Sequence, residues 1–197
     1  GFTPYKEDDA ATYNREGWWP GLTFGDVLDR AAERYPDRMA FIDTNDRLTY
    51  AQTRDLADKV AIAFMDMGLS PTDRVLLQLP NWNEFAPVYF GIQKAGAIDT
   101  LLIDRYRPYE IGHVSRLCGA TTWVVPENYK KIDYLPIIRE VLAENPHIKN
   151  VILVRSSTDT PYLNLEKIIE GVELTAENLD SISHRRPDPM QVSHMGP

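Results

Sequence analysis

Four short apolar segments, each followed by a helix-like segment, constrain the fold of this sequence more than any other feature. They are rich in Val and Ile and too short for buried helices, so each predicts a strand that is buried on both faces. The segments are Val75–Leu79, Ile98–Ile103, Thr121–Val125 and Val151–Val154. Because strands that alternate with helices pair mostly in parallel, the sequence predicts an α/β fold. We expect a doubly wound, mostly parallel sheet with helices on both faces.

Two further helices and a pair of strands are predicted before the first of these segments. Thr23 precedes an apolar stripe of helical spacing and can cap that helix. Thr49-x-x-Gln52 has the spacing of a capping box, in which both side chains satisfy backbone donors of the first turn. Between these helices, Met39–Ile42 and Arg47–Leu48 are separated by turn-forming residues and predict two short strands.

The chain divides into three parts in this interpretation. Residues 1–22 form an aromatic N-terminal arm, anchored by Trp18 and Trp19, and residues 23–180 form the α/β subdomain. Residues 181–197 are polar and proline-containing, which predicts a connecting segment. Because a domain rarely ends without an element that closes its last strand, we expect the α/β part to be an incomplete N-terminal portion of a larger fold.

The bulk composition excludes several classes of partner. A formal net charge of -8 argues against nucleic acid or an anionic membrane as the main partner. No apolar run is long enough to span a bilayer, so we expect no membrane span. The single cysteine, Cys118, cannot form an internal disulfide, which is compatible with a reducing compartment. These features together predict a cytoplasmic protein whose partners are small molecules or other proteins.

The common catalytic motifs are absent from the sequence. It contains no glycine-rich phosphate loop, no G-x-S-x-G nucleophile elbow, no H-E-x-x-H and no Cys/His cluster with zinc spacing. We therefore predict no catalytic residue and no metal ligand within these 197 residues.

Two arginines form the strongest candidate binding feature. Arg105 and Arg107 follow the second apolar segment and precede a helix that Pro108 can begin. Ligands of parallel sheets bind at the carboxyl ends of strands, and a guanidinium group suits phosphate, so both arginines are candidate cofactor-binding residues. The alternative is that Arg105 only pairs with Asp104 or Glu110 at the surface.

Four motifs in series resemble the N-terminal part of the adenylate-forming superfamily. This superfamily contains acyl- and aryl-CoA synthetases, adenylation domains of nonribosomal peptide synthetases, and luciferases. The motifs are Leu48-Thr49-Tyr50, Asp73-Arg74-Val75, Leu79-Pro80-Asn81 with Glu84-Phe85, and Lys94-Ala95-Gly96-Ala97. The resemblance runs from about Leu22 to Val154, and Gly17-Trp18-Trp19-Pro20-Gly21 before it looks most like the aryl-acid ligases.

The resemblance implies a two-step reaction. A carboxylate attacks the α-phosphate of ATP, which gives an acyl-adenylate and pyrophosphate, and a thiol then displaces AMP. The implied cofactors are ATP, CoA and Mg²⁺, and the implied partners are an aromatic or alicyclic acid and the remainder of the same polypeptide. A homodimer is also compatible with the resemblance. The main hypothesis is an AMP-forming carboxylate–CoA ligase; the alternatives are an aryl-acid adenylase that loads a carrier protein, or a non-catalytic α/β binding module.

The resemblance also assigns a role to Arg105. In aryl-CoA ligases an arginine in the matching loop lies near the 3'-phosphate of CoA, and it aligns with Arg105, with Glu110 and Ile111 matching the end of that pattern. Arg107 is the weaker neighbour. The family's ATP-binding loop and mobile lid have no counterpart here, and residues 186–197 resemble the approach to that loop. We therefore expect the isolated chain to be inactive as a ligase.

Overall fold

The computed structural model describes residues 5–157 and 159–196. Residues 1–4 of the predicted arm and residue 197 of the predicted connecting segment lie outside this range. The helices are α1 (Glu7–Arg15), α2 (Phe24–Arg34), α3 (Tyr50–Asp66), α4 (Phe85–Lys94), α5 (Pro108–Cys118), α6 (Tyr134–Glu144), α7 (Leu165–Glu170) and α8 (Ala176–Arg185). The strands are β1 (Met39–Ile42), β2 (Arg47–Thr49), β3 (Arg74–Leu77), β4 (Ile98–Leu101), β5 (Thr122–Pro126), β6 (Asn128–Tyr129), β7 (Ile132–Asp133), β8 (Asn150–Val154), β9 (Leu163–Asn164) and β10 (His194–Met195).

A six-stranded parallel sheet organises the chain. Its strand order is β10-β4-β3-β5-β8-β9, and each neighbouring pair runs in parallel. The pairs β1–β2 and β6–β7 form two separate antiparallel ribbons. All four segments that the sequence predicts to be buried strands lie in the large sheet, so the predicted α/β fold is confirmed.

Helices cover both faces of the sheet. Alternate residues of β3 enter different cores: Val75 and Leu77 pack with residues of α3, α4, α7 and α8, whereas Leu76 packs with residues of α5 and α6. This alternation follows from the two-residue period of a strand. The sheet is thus a buried middle layer, as its uninterrupted apolar strands predict.

The predicted helix starts are present. The Thr49 hydroxyl accepts a hydrogen bond from the backbone of Gln52 at 3.2 Å, and the Gln52 side chain accepts one from the backbone of Thr49 at 2.9 Å. Thr23 caps α2 through a similar box with Asp26. At the end of α4 the chain turns at Gly96, where a Cβ atom would lie 2.8 Å from the carbonyl oxygen of Arg185 and φ is 79°. Only glycine fits there without strain.

The two ends of the chain contain more structure than predicted. The arm includes helix α1, whose Tyr13 ring lies 4.9 Å from the Trp19 ring between centroids. The predicted boundary at residue 180 falls inside α8, and β10 adds an edge strand next to β4. Because β10 has only two residues and neither is buried, its sequence carries no apolar pattern.

The sequence analysis predicts no membrane span. Among residues 5–157 and 159–196, no helix has both the length and the apolar character required to cross a bilayer.

One carboxyl group lies inside the sheet without a hydrogen-bond partner. Asp99 of β4 is fully buried, and neither carboxylate oxygen accepts a hydrogen bond from the residues that the structure describes. It pairs in register with Val75, so its side chain faces the core beneath α4. Burial raises the pKa of Asp99 well above its ordinary value. The folded chain therefore favours the protonated acid.

Replacing Asp99 by Asn is expected to raise the free energy of unfolding by about 1–3 kcal/mol near neutral pH. The pKa is higher in the folded than in the unfolded chain, so the stability that wild-type Asp99 contributes is complete below about pH 4 and declines as the pH rises towards the folded value. The Asp99→Asn protein lacks that decline. Urea denaturation at a series of pH values measures the free energy of unfolding of each protein. The control is Asp66→Asn, a substitution at an exposed position. Equal pH slopes in wild type and Asp99→Asn would contradict this account.

Candidate functional site

The carboxyl ends of β3 and β5 lie at the switch point of the sheet. From β3 the chain passes to β4 on one side, and from β4 it returns to β5 on the other side of β3. The loops that follow β3 and β5 therefore diverge and leave a crevice, which is where open parallel sheets bind ligands.

A cleft of about 370 Å³ occupies this position. Its volume falls within the range of small-molecule sites. Most of the residues that line it have apolar or aromatic side chains, but their polar atoms contribute more of its surface than their apolar atoms. The lining residues are Leu79, Pro80, Asn81, Trp82, Phe85, Leu102, Ile103, Asp104 and Tyr129. Trp82 and Tyr129 form an aromatic wall, with ring centroids 5.6 Å apart and an edge-to-face angle of 83°.

The loop after β4 is held in place by two buried side chains. The side-chain amide of Gln78 donates a hydrogen bond to the carbonyl of Ile103 at 2.9 Å. The hydroxyl of Tyr134 donates one to the carbonyl of Asp104 at 2.7 Å. The backbone that carries Arg105 is thus fixed from below, at the rim of the cleft.

Arg105 is exposed at the turn of this loop. Within residues 5–157 and 159–196 its guanidinium group has no hydrogen-bond or salt-bridge partner, which differs from the alternative of pairing with Asp104 or Glu110. Glu110 instead accepts a hydrogen bond from the backbone N–H of Arg107 at 3.0 Å. Arg105 is therefore available to an external anion. Its role in binding a cofactor stays a prediction.

Arg107 has a different environment. It is the N-cap residue of α5, and its guanidinium group donates to the carbonyls of Tyr106 at 2.9 Å and Asp104 at 3.4 Å. These contacts give Arg107 a role in shaping the loop. A contact between Arg107 and a ligand also stays a prediction.

The β6–β7 ribbon places two lysines beside the cleft. The Nζ atom of Lys130 lies 4.7 Å from the ring centroid of Tyr129, and Lys131 is exposed next to it. Lys130, Lys131 and Arg105 are exposed next to the lining residues Tyr129 and Asp104, while the cleft itself is lined by one charged side chain, that of Asp104. An aromatic slot beside such exposed cations suits a ligand that has an uncharged arm and an anionic end.

A cluster around Arg155 lies behind the aromatic wall and is not evident from sequence. Arg155 follows β8 and forms a bidentate pair with Glu84, with Nε to Oε1 at 2.7 Å and Nη2 to Oε2 at 2.8 Å. It also donates to Asp43 in the β1–β2 turn, and its Cζ atom lies 4.2 Å from the ring centroid of Trp82. Glu84 belongs to the L-P-N-x-x-E-F motif, but its partner is 71 residues away in sequence. No local spacing could reveal that pair.

The same cluster lowers the pKa of Asp43. Burial alone would raise this pKa, but hydrogen bonds from the backbone of Asn45 and Asp46 and from Arg155 hold it well below its usual range. Asp43 is therefore an anion that joins the β1–β2 turn to the edge of the sheet.

The resemblance implies ATP and Mg²⁺ as cofactors of the longer protein, bound mostly outside this chain. In the part of the chain that the structure describes, no group of three or more His, Cys, Asp and Glu side chains is arranged to hold a metal ion. The loops that line this cleft contain no glycine-rich cradle for a triphosphate.

Comparison with known proteins identifies relatives of this chain. A family model described as AMP-binding enzyme matches residues 28–192. The chain is 41% identical over 158 residues to the salicyl-AMP ligase / salicyl-S-ArCP synthetase of Mycobacterium tuberculosis, covering 78% of this chain and 28% of the relative. It is 34% identical over 168 residues to the 2,3-dihydroxybenzoate-AMP ligase of Bacillus subtilis, covering 85% of this chain and 31% of the relative.

A solved structure extends the match to the whole chain. The apo structure of Mycobacterium smegmatis MbtA has a TM-score of 0.82 and 29% identity, and the match covers 100% of this chain and 35% of that one. The chain thus spans about a third or less of the length of these proteins. Since the family model matches most of its residues, this chain belongs to the family of AMP-binding enzymes.

Proposed function

We propose that this chain is the first part of an adenylate-forming ligase that activates an aromatic carboxylic acid and transfers the acyl group to the thiol of a carrier protein. The observation that carries the proposal is the 41% identity to the salicyl-AMP ligase / salicyl-S-ArCP synthetase, supported by the 34% identity to the 2,3-dihydroxybenzoate-AMP ligase. Both relatives are named for hydroxybenzoate-type acids. Neither is named as a CoA ligase, so the comparisons favour the carrier-protein alternative over the main hypothesis of a CoA ligase.

The cleft at the switch point is proposed to receive the thiol acceptor. Its aromatic wall of Trp82 and Tyr129 suits the uncharged arm of such an acceptor, and Arg105 at the rim suits an anionic group at the end of that arm. In a carrier protein this group is an acidic side chain or the phosphate of phosphopantetheine; in CoA it is the 3'-phosphate. Chemistry at the acid and at ATP is assigned to the remainder of the polypeptide.

ATP–pyrophosphate exchange tests the substrate class. In the full-length protein, we expect salicylate or 2,3-dihydroxybenzoate to support exchange at least about tenfold faster than a medium-chain fatty acid, because a pocket shaped for a planar ring excludes a flexible chain. An alicyclic acid should fall between them. The 197-residue chain alone is expected to show only background exchange. Exchange by the isolated chain, or a preference for the fatty acid, would contradict the proposal.

Arg105→Ala separates the two half-reactions. In the full-length protein, the change is expected to raise the KM for a carrier protein or CoA about fivefold. This corresponds to the loss of about 1 kcal/mol, which is typical of an exposed charge pair. Acyl-adenylate formation should be unchanged, because Arg105 contacts only the acceptor. Dephospho-CoA, which lacks the 3'-phosphate, should be less affected than CoA.

Arg139→Ala provides the matched control, since Arg139 is an exposed arginine on α6, away from the cleft. Arg105→Lys should retain part of the affinity, because it keeps the charge. Equal losses in adenylate formation and thiol transfer would show that Arg105 does not act at the acceptor site. The relative KM values for CoA and for carrier protein decide between the two acceptors.

A further inference from the structure

Two cations with unusual backbone geometry each contact one aromatic ring of the cleft wall. Among the described residues, the non-glycine residues with positive φ are Thr72, Lys130 and Arg155. Lys130 lies over the ring of Tyr129, and Arg155 lies over the ring of Trp82. Strained backbone of this kind persists where the surrounding contacts over-determine it, and it is enriched at functional sites.

The surroundings of Arg155 do over-determine its position. Its φ is 54°, and its backbone N–H donates to Oε1 of Glu166 at 2.7 Å. Its guanidinium group is bidentate on Glu84 and also contacts Asp43, whose side chain is only 5% exposed. A planar guanidinium can make both contacts and still present its face to an aromatic ring, which an ammonium group cannot do.

Trp82 connects Arg155 to the cleft, because it contacts Arg155 and also lines the cleft. The indole is half-buried, with Arg155 against its face and Tyr129 at 5.6 Å, in edge-to-face contact. Arg155 itself is not among the residues that line the cleft. Arg155 lines a separate cleft of about 400 Å³ together with Asn83 and Glu84. Its contact with the Trp82/Tyr129 cleft is made through the indole.

We propose that Arg155 is a positioning residue: it holds the Trp82 indole in the wall of the cleft and thereby sets the affinity for the amide-containing arm of a thiol acceptor. The affinity part of this inference rests on the proposed function, in which the cleft receives that acceptor. The structural part of the inference, that Arg155 fixes the position of the Trp82 indole, does not depend on the proposed function. Glu84 and Asp43 in turn fix the guanidinium group, which joins the β3–α4 loop, the β1–β2 turn and the end of β8.

Pantetheine is the probe for the affinity part, because it has the amide arm and lacks the phosphates that Arg105 would contact. In the full-length protein, Arg155→Met should raise the KM for pantetheine about fivefold or more and leave ATP–pyrophosphate exchange unchanged. Arg155→Lys should recover part of the loss, because it restores the cation without the bidentate geometry. Arg139→Met, on α6, should change neither reaction. Equal losses of exchange and of transfer would indicate general destabilisation and overturn the proposal.

The fluorescence of Trp82 tests the structural part without any enzymatic activity. Its signal is the difference between each protein and the same protein carrying Trp82→Phe, which removes the contributions of the other tryptophans. Arg155→Met should shift the Trp82 emission and increase its quenching by acrylamide, and Arg155→Lys should do so less. An unchanged Trp82 signal in Arg155→Met would overturn the proposal, even if transfer were impaired.

Failure of the proposed function and failure of the proposed role of Arg155 give different results. If the wild-type protein transfers no acyl group to pantetheine, CoA or a carrier protein, the proposed function fails, and the Trp82 signal still decides the role of Arg155. If Arg155→Met does not fold, Glu84→Gln takes its place, because it weakens the bidentate pair and retains Arg155. An unchanged Trp82 signal in Glu84→Gln would then overturn the proposal.

Discussion

Burial of the parallel sheet on both faces determines where polar side chains can lie in this chain. The strands β3, β5 and β8 contribute alternate residues to two apolar cores, so neither face of the sheet can present a charged group to a ligand. Apart from the buried carboxyl group of Asp99, the polar groups of the sheet that could meet a ligand therefore lie at the ends of the strands. At the carboxyl edge Gln78 and Tyr134 bond to the backbone of the loop after β4, and Arg155 binds the side chain of Glu84 in the loop after β3.

The same constraint explains the motif residue Lys94, which lies in a buried position on α4. Its ammonium group donates to Asp58 of α3 and, at 2.6 Å, to Asp29 of α2, so one cation joins three helices. The packing is close, since a Cβ atom at Gly25 would lie 2.9 Å from Cγ of Lys94. Burial raises the pKa of Asp58, and Lys94 offsets only part of the rise. Removing one partner of such a buried pair would leave an uncompensated charge, so Lys94 has a structural role in joining the three helices.

Local interactions account for the part of the fold that the sequence predicts. Capping boxes at Thr23 and Thr49, the turn at Gly96 and the apolar strands all depend on residues within a few positions of one another. The contacts that sequence reasoning missed are long-range: Arg155 lies 112 residues from Asp43, and Arg186 lies 160 residues from Asp26. Spacing carries no information about such pairs. Arg105 could be proposed because a resemblance supplied its role, whereas Trp82 and Tyr129 belong to separate loops that only the folded sheet brings together.

The position of β10 connects the cleft to the remainder of the family's fold. Because β10 runs parallel to β4, its carboxyl end lies at the same edge of the sheet as Arg105, Trp82 and Tyr129. The segment that leads from α8 into β10 is fixed by Arg186. Its guanidinium group is bidentate on Asp26 at the start of α2 and also donates to the carbonyl of Gly21. The resemblance described above predicts that residues 186–197 lead towards the family's ATP-binding loop. On the proposed function, a loop at that place would emerge beside the cleft, and the nucleotide and the thiol acceptor would approach the same edge of the sheet, which is where open parallel sheets bind ligands.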